Sequence, residues 1–159
     1  MKSTRPIVLT VALLVGIADQ LSKWVILLYF MQPPRQIVVT PFFNLVLVYN
    51  TGISFGMFTG DGEAKRWILI VMALVIVLAL LFVYAGSRSR LVAVGVGLVV
   101  GGALSNVIDR FNHPGVVDFL DFHFATWHWP AFNVADASIV VGAALLAYDG
   151  LFGSHATAK

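Results

Sequence analysis

The stretch WILIVMALVIVLALLFVYA, from Trp67 to Ala85, contains 19 residues and no charged side chain. As an α-helix rising about 1.5 Å per residue it would span about 28 Å, close to the thickness of the hydrocarbon core of a bilayer. The whole chain shares this character, since 59% of its 159 residues are hydrophobic and only 11% are charged. Such values lie outside the range of soluble domains, so the sequence predicts an integral membrane protein.

Three further apolar stretches accompany this one, which places the predicted spans at residues 6–30, 67–85, 91–108 and 132–148. No linker or low-complexity run divides the chain, so we expect one integral membrane domain over residues 1–159. The first apolar run follows the basic residues Lys2 and Arg5, an arrangement that is also typical of a signal peptide. Because the apolar character resumes at Trp24, a retained span is the better interpretation. The predicted fold class is all-α, a bundle of four transmembrane helices.

Basic residues set the predicted orientation of this bundle. Lys2, Arg5, Lys159 and the short connection at 86–90 carry positive charge, which places them and both termini in the cytoplasm. The two longer connections then face outward. The first contains Gln36 to Tyr49, rich in β-branched and aromatic residues, and predicts short strands that form a small β-rich extracytoplasmic cradle on the membrane. The net charge of +2 is too small and too dispersed for nucleic-acid binding.

Small residues recur along the third span at four-residue spacing, at Gly97, Gly101 and Ser105. This stripe predicts close helix packing in lipid. Trp127 and Trp129, near the start of the fourth span, are typical of interfacial anchors.

Carboxylates at the edge of hydrocarbon are costly and indicate a functional site. At about 1.5 Å per residue, Asp19, Asp109 and Asp136 all reach the outer part of the bilayer. Lys23 follows Asp19 by one helical turn, and Arg110 ends the third span. Each cation either pairs with an acid or extends to the interface. Asp109 stands at a helix C-terminus, where a negative charge needs a partner, and Lys23, Arg110 or Asn106 could provide it.

The remaining acids lie close to the fourth span. Asn133 and Asp136 have the spacing of an N-cap and its N3 acid, an arrangement that is compatible with catalysis. Asp118 and Asp121 lie in the extended stretch Val116–Phe122, where residues three apart point to opposite faces. Only one of these two can face the bundle, and the pattern does not decide which.

Two carboxylates held close together in a low-dielectric site share one proton, so that one acts as a base and the other as an acid. Such a pair can activate water for attack on an amide without a metal or a thiol.

Other chemistries fit less well. Gly52-Ile-Ser-Phe-Gly56 matches G-x-S-x-G without the required histidine and turn, and His123 and His128 lack the spacing of a zinc motif. With no cysteine in the chain, thiolate chemistry is excluded.

Two other classes of function remain as alternatives. A small proton-coupled membrane transporter also uses intramembrane acids, but it predicts internal repeats and acids near the bilayer midplane, neither of which the sequence has. A non-enzymatic scaffold would explain the small-residue stripe and would leave the polar residues without a purpose.

Five blocks of the sequence together resemble one known family, the lipoprotein signal peptidases (signal peptidase II). They appear in the family's order between residues 19 and 136. The blocks are Asp19-Gln-Leu-Ser-Lys23, Tyr49-Asn-Thr-Gly52 with Phe55, Gly101-Gly-Ala-Leu-Ser-Asn106 leading into Ile108-Asp-Arg110, Val116-Val-Asp-Phe119, and Phe132-Asn-Val-Ala-Asp136. Ser105 stands where the family usually has glycine, and we expect only a local adjustment from it.

The resemblance implies an aspartic endopeptidase of the bacterial inner membrane, with both termini cytoplasmic and the active site near the outer face. It would cut prolipoproteins just before a cysteine that carries diacylglycerol, acting as a monomer among membrane lipids with no cofactor, no metal and no nucleic-acid partner. The implied catalytic pair is Asp118 and Asp136. The implied supporting and substrate-binding residues are Asp19, Lys23, Asn50, Gly52, Asn106, Asp109, Arg110 and Asn133.

Overall fold

The computed structural model describes residues 4–52, 62–84, 87 and 89–153. Its helices are α1 (Arg5–Val25), which continues into a π-helical segment (Ile26–Phe30), α2 (Gly62–Tyr84), α3 (Arg90–Asn112) and α4 (Val134–Phe152). Its strands are β1 (Ile37–Thr40), β2 (Phe43–Asn50), β3 (Val116–Phe124) and β4 (Trp127–His128). The G-x-S-x-G stretch after Gly52 lies outside the described residues.

Four helices are long and apolar enough to cross a membrane, at Arg5–Phe30, Glu63–Tyr84, Arg90–Asn112 and Val134–Phe152. The prediction of four apolar helices is therefore confirmed. The strands form an antiparallel sheet in the order β1-β2-β3-β4, which confirms the extended stretches read from the sequence. An all-α description is incomplete for this reason, because part of the polar site is built on strands.

Helix α3 is the centre of the bundle and buries most of its surface, whereas the other three helices bury much less of theirs. Its glycines allow the neighbours to come close. A Cβ on Gly97 would lie 2.7 Å from the Val11 side chain, and one on Gly101 would lie 2.6 Å from the Ala12 carbonyl oxygen. The packing predicted for these two positions of the stripe is therefore confirmed, with α1 as the partner.

The two ends of the bundle differ in character. At one end, Thr4 Oγ1 donates to the Ser87 carbonyl (2.6 Å), and Ser89 Oγ donates to Asp149 Oδ1 (3.2 Å). The start of α1, the connection between α2 and α3, and the last turns of α4 therefore lie together. The sheet and the buried acids occupy the other end.

The sheet delivers β3 to the start of α4. Strand β2 has one extra residue between Leu45 and Val48, which pair with Leu120 and Asp118, so the pairing contains a β-bulge. On the other side of β3, Leu120 forms an isolated bridge with Phe132. This bridge ties the residue before the Asn133 cap to the strand that carries Asp118.

Candidate active site

Asp118 on β3 and Asp136 on α4 meet at Asn133. The Asn133 side chain donates to Asp118 Oδ1 (2.7 Å), and the Asn133 backbone N–H donates to Asp136 Oδ2 (3.3 Å). Asp118 and Asn133 are almost fully buried. The structure thus brings a strand acid and a helix acid to one residue, and it selects Asp118, which the alternation of β3 had left undecided.

The position of Asp136 follows from local sequence. Asn133 is the N-cap of α4, and its Oδ1 accepts a hydrogen bond from the Asp136 backbone N–H (2.9 Å). The Asp136 carboxylate in turn accepts from the Asn133 backbone N–H, so the two residues form a capping box. The prediction from the Asn-x-x-Asp spacing is confirmed. From α3, Asn106 Nδ2 donates to Asp136 Oδ1 (2.8 Å). A carboxylate at a helix N-terminus is stabilised as the anion by the helix dipole.

Asp118 lies in a setting that favours its protonated form. Burial raises the pKa of Asp118 to about 7, and the nearby charge of Asp136 acts in the same direction. Hydrogen bonds from Asn50 (3.0 Å) and Asn133 (2.7 Å) and the charge of Lys23 oppose this rise. A carboxyl group with this pKa can hold a proton near neutral pH.

Donor-only groups fix the orientation of three asparagine amides around the two acids. The Lys23 ammonium group can only donate, so its contact with Asn106 (3.2 Å) must be to the amide oxygen. The Asn106 amide nitrogen therefore points to Asp136. The Gly52 N–H donates to Asn50 Oδ1 (2.9 Å), which turns the Asn50 nitrogen to Asp118. Asn133 is fixed in the same way by the Asp136 N–H. All three amide nitrogens therefore donate to the acids.

Gly52 suits its place in this network. Its backbone has φ of 82°, a left-handed conformation that glycine adopts without cost. A Cβ there would also collide with the Leu69 side chain.

Lys23 is buried among acids and does not extend to the interface. Its Nζ lies 2.6 Å from Asp19 Oδ2 and 2.7 Å from Asp109 Oδ2. Together with Asn106 Oδ1, these oxygens provide one acceptor for each of the three N–H groups of the ammonium. The sequence left pairing and interfacial extension equally open for Lys23, and the structure decides for pairing. Arg110 is half-buried and donates to the Asn106 carbonyl (3.2 Å).

Asp109 has the partner that its place near a helix C-terminus required. Besides Lys23, it accepts from Gln20 Nε2 (2.8 Å) and from the Val117 backbone N–H (3.0 Å). The Val117 contact fastens the start of β3 to α3, one residue before Asp118.

Asp121 takes no part in this cluster. It accepts from Asn44 Nδ2 (2.8 Å), and His128 Nδ1 lies 2.8 Å from its Oδ1. Although burial alone would raise it, these two hydrogen bonds hold the pKa of Asp121 below its usual range. The His128 ring stacks on His123 at 4.8 Å. Within the described residues, no group of three or more His, Asp or Glu side chains could hold a metal ion.

Two polar residues of the site were not predicted as such, Ser105 and Gln20. Ser105 Oγ donates to Asp19 Oδ2 (2.7 Å) and accepts from Gln20 Nε2 (3.0 Å), so its role extends beyond the packing expected of the stripe. Two signals could have found them. Ser105 is the one hydroxyl in an otherwise glycine stripe, and Gln20 directly follows Asp19 inside an apolar span.

The sequence comparisons with known proteins agree on one family. The family model described as "Signal peptidase (SPase) II" matches residues 11–152. A lipoprotein signal peptidase of Burkholderia mallei is 43% identical over 144 residues, 90% of this chain and 86% of the relative, and one of Burkholderia cenocepacia is 46% identical over the same shares. A solved structure, described as a bacterial membrane enzyme determined by the in meso method at 1.9 Å resolution, has a TM-score of 0.78 and 29% identity, covering 92% of this chain and 93% of that one.

Proposed function

The chain belongs to the signal peptidase II family of membrane aspartic endopeptidases, and on that premise we propose that Asp118 and Asp136 are its catalytic pair. The observation that carries the proposal is the shared contact with Asn133, whose side chain donates to one carboxylate (2.7 Å) and whose backbone donates to the other (3.3 Å). The charge of Asp136 also raises the pKa of Asp118, as expected for two carboxyl groups that interact within one site.

Their surroundings support different roles. Asp136 is stabilised as an anion by the N-terminus of α4 and by the Asn106 amide (2.8 Å), so it acts as the base. Asp118, with its pKa raised to about 7 by burial and by the charge of Asp136, holds the proton.

The reaction follows from these roles. Asp136 takes a proton from water while the water oxygen attacks the carbonyl carbon of the scissile amide, and Asp118 lends its proton to the carbonyl oxygen. When the C–N bond breaks, the amine nitrogen receives the proton held by Asp136. The proton on the oxygen returns to Asp118 as the carboxylic acid forms. The pair ends with one proton, as it began.

The proposed substrate is a prolipoprotein whose cysteine carries diacylglycerol, cut on the N-terminal side of that cysteine. Helices α2 and α4 expose large apolar side chains along their length, for example Phe82 and Leu151, which suits a partner that stays in the bilayer. The pair lies at the bundle end that carries the sheet. A scissile bond near the membrane surface would reach it while the acyl chains remain in lipid.

We place this end at the outer face of the bacterial inner membrane, with the sheet as the cradle over the site and both termini in the cytoplasm. Arg5 and Arg90 start their helices at the opposite end, in agreement with the positive-inside rule. We also propose that the chain acts as a single membrane domain and as a monomer.

The supporting residues divide into two groups by their contacts. Asn50, Gly52, Asn106 and Asn133 orient amide donors toward the catalytic pair. Asp19, Lys23, Asp109 and Arg110 form the charged layer beneath, which holds α1, α3 and the start of β3 together.

The test is cleavage of a diacylglyceryl-modified prolipoprotein peptide by purified protein in liposomes. We expect Asp118→Asn and Asp136→Asn each to remove activity by at least about a thousandfold, since each acid has its own proton to move. Asp121→Asn is the matched control, because Asp121 is a buried acid on the same strand that bonds only Asn44 and His128 in the described part of the chain. Full activity in either catalytic variant would show that its aspartate is not catalytic.

A further inference from the structure

Ser105 is the meeting point of two helices beside the site. Its hydroxyl donates to Asp19 Oδ2 (2.7 Å) and accepts from Gln20 Nε2 (3.0 Å), so both neighbours belong to α1 while Ser105 belongs to α3. The Ser105 side chain is almost completely buried. Water therefore cannot replace these bonds without a change in packing.

Asp19 also contacts a third helix, α4. Its other oxygen, Oδ1, accepts from the backbone N–H of Ala135 (2.8 Å), in the first turn of α4 and one residue before Asp136. Asp19 is fully buried, and Lys23 Nζ also lies 2.6 Å from its Oδ2. One oxygen of the Asp19 carboxylate therefore contacts Ser105 and Lys23, and the other contacts Ala135. Contacts to both oxygens fix the orientation of the carboxylate about its Cβ–Cγ bond.

We infer that Ser105 is a positioning residue for Asp136: it orients the Asp19 carboxylate, which in turn holds the first turn of α4 at the depth where Asp136 faces Asp118. This inference rests on the proposed role of Asp136. Glycine at this position, which the sequence resemblance leads one to expect, has no side chain to make either bond. The serine is thus an added fastening between α1, α3 and α4.

The contact geometry distinguishes this role from packing. Loss of the hydroxyl leaves Gln20 two other acceptors, Asp109 Oδ1 (2.8 Å) and the Ser105 backbone carbonyl (3.3 Å), so that side chain stays in place. Asp19 keeps Lys23 on Oδ2 but loses the hydroxyl that restricts its orientation. Loss of the hydroxyl should therefore affect α4 through Asp19. It should lower the rate of the chemical step more than it weakens substrate binding.

The experiment compares Ser105→Ala with Ser22→Ala, since Ser22 Oγ donates to the backbone carbonyl of Asp19 (2.7 Å) and not to its carboxylate. A hydrogen bond to a charged group corresponds to roughly ten- to a hundredfold in an equilibrium. Because Ser105 acts on Asp136 only through Asp19, we expect a smaller effect on the rate, with kcat of Ser105→Ala lowered about three- to tenfold and KM unchanged. Ser105→Cys, which keeps the packing and a weak donor, should fall between Ala and Ser. Ser22→Ala should match the wild type.

Two further readouts separate positioning from a general loss of fit. In an Asp19→Asn background, Ser105→Ala should cause no further loss, because the pathway through the carboxylate is already removed. Hydrogen exchange at residues 133–137 should become faster in Ser105→Ala, whether or not activity is measured. An unchanged kcat, an additive double variant, or unchanged exchange would each overturn the inference. Failure of the catalytic proposal would appear separately, as activity that persists in Asp136→Asn.

Discussion

Asp19 accepts a hydrogen bond from the backbone N–H of Ala135 at 2.8 Å, although 116 positions separate them in the chain. This contact joins the charged layer on α1 and α3 to the helix turn that carries Asp136. With the Asn133 bonds to both acids, it fixes the strand acid and the helix acid relative to each other. The arrangement makes the site sensitive to charge, to pH and to helix spacing.

The pH profile of kcat should have an alkaline limb near pH 7. Burial and the charge of Asp136 raise the pKa of Asp118 to about 7, so the acid of the pair loses its proton as the pH rises through that value. Asn50 opposes the rise, so Asn50→Ala should raise the pKa of Asp118 further and move the alkaline limb to higher pH. The measurement is kcat at saturating substrate from pH 5 to 9. Asn44→Ala, which removes an amide donor to Asp121 instead, should leave the limb in place.

Stability should depend on the same proton. Since the pKa of Asp118 is raised on folding to about 7, the folded state binds the proton more tightly than the unfolded state. The stabilisation is complete below the unfolded pKa and is lost as the pH rises through about 7. Asp118→Asn has no proton to lose, so between about pH 4 and pH 7 its Tm should fall less than that of the wild type. Equal slopes of Tm against pH in the two proteins would contradict the assigned shift.

Lys23 should be essential for stability. Lys23→Met keeps most of the side-chain volume but leaves Asp19 and Asp109 buried without their cation, at a cost of about 3–5 kcal/mol in the free energy of unfolding. The measurement is unfolding in detergent micelles. Adding Asp109→Asn to Lys23→Met should recover part of the loss, because one of the unpaired charges is then removed. As a control, Arg35→Gln at an exposed position should change stability by less than about 0.5 kcal/mol.

Two glycines should respond in opposite ways to alanine. A Cβ on Gly101 would lie 2.6 Å from the Ala12 carbonyl oxygen, so Gly101→Ala must push α1 from α3, at a cost of about 1–3 kcal/mol. A Cβ on Gly16 would meet nothing within 4 Å, and Gly16→Ala should stabilise α1 by about 0.5–1 kcal/mol. Thermal unfolding of both variants checks the pair. A neutral Gly101→Ala would mean that α1 and α3 are not as closely packed as described.

Parts of the site could be predicted because they depend on neighbours in sequence. The cap of Asn133 on Asp136 follows from a three-residue spacing, and the pairing of Lys23 with Asp19 was one of two outcomes of a four-residue spacing. Ser105 shows the limit of this approach. Its spacing from Gly101 predicted packing, but the acceptor of its hydroxyl lies on another helix, which no local pattern identifies.

The sequence alone determined that the chain spans a membrane with four helices, because an apolar run of about 20 residues has few other stable solutions. It also determined the two extended stretches and the acids at one end. Strand alternation left the choice between Asp118 and Asp121 open, and the sequence resemblance implied Asp118. Only the tertiary structure decided that Lys23 is buried between Asp19 and Asp109, and that Ser105 reaches Asp19. These choices depend on contacts between residues distant in the chain, and helical or strand periodicity specifies a face without specifying what lies opposite it.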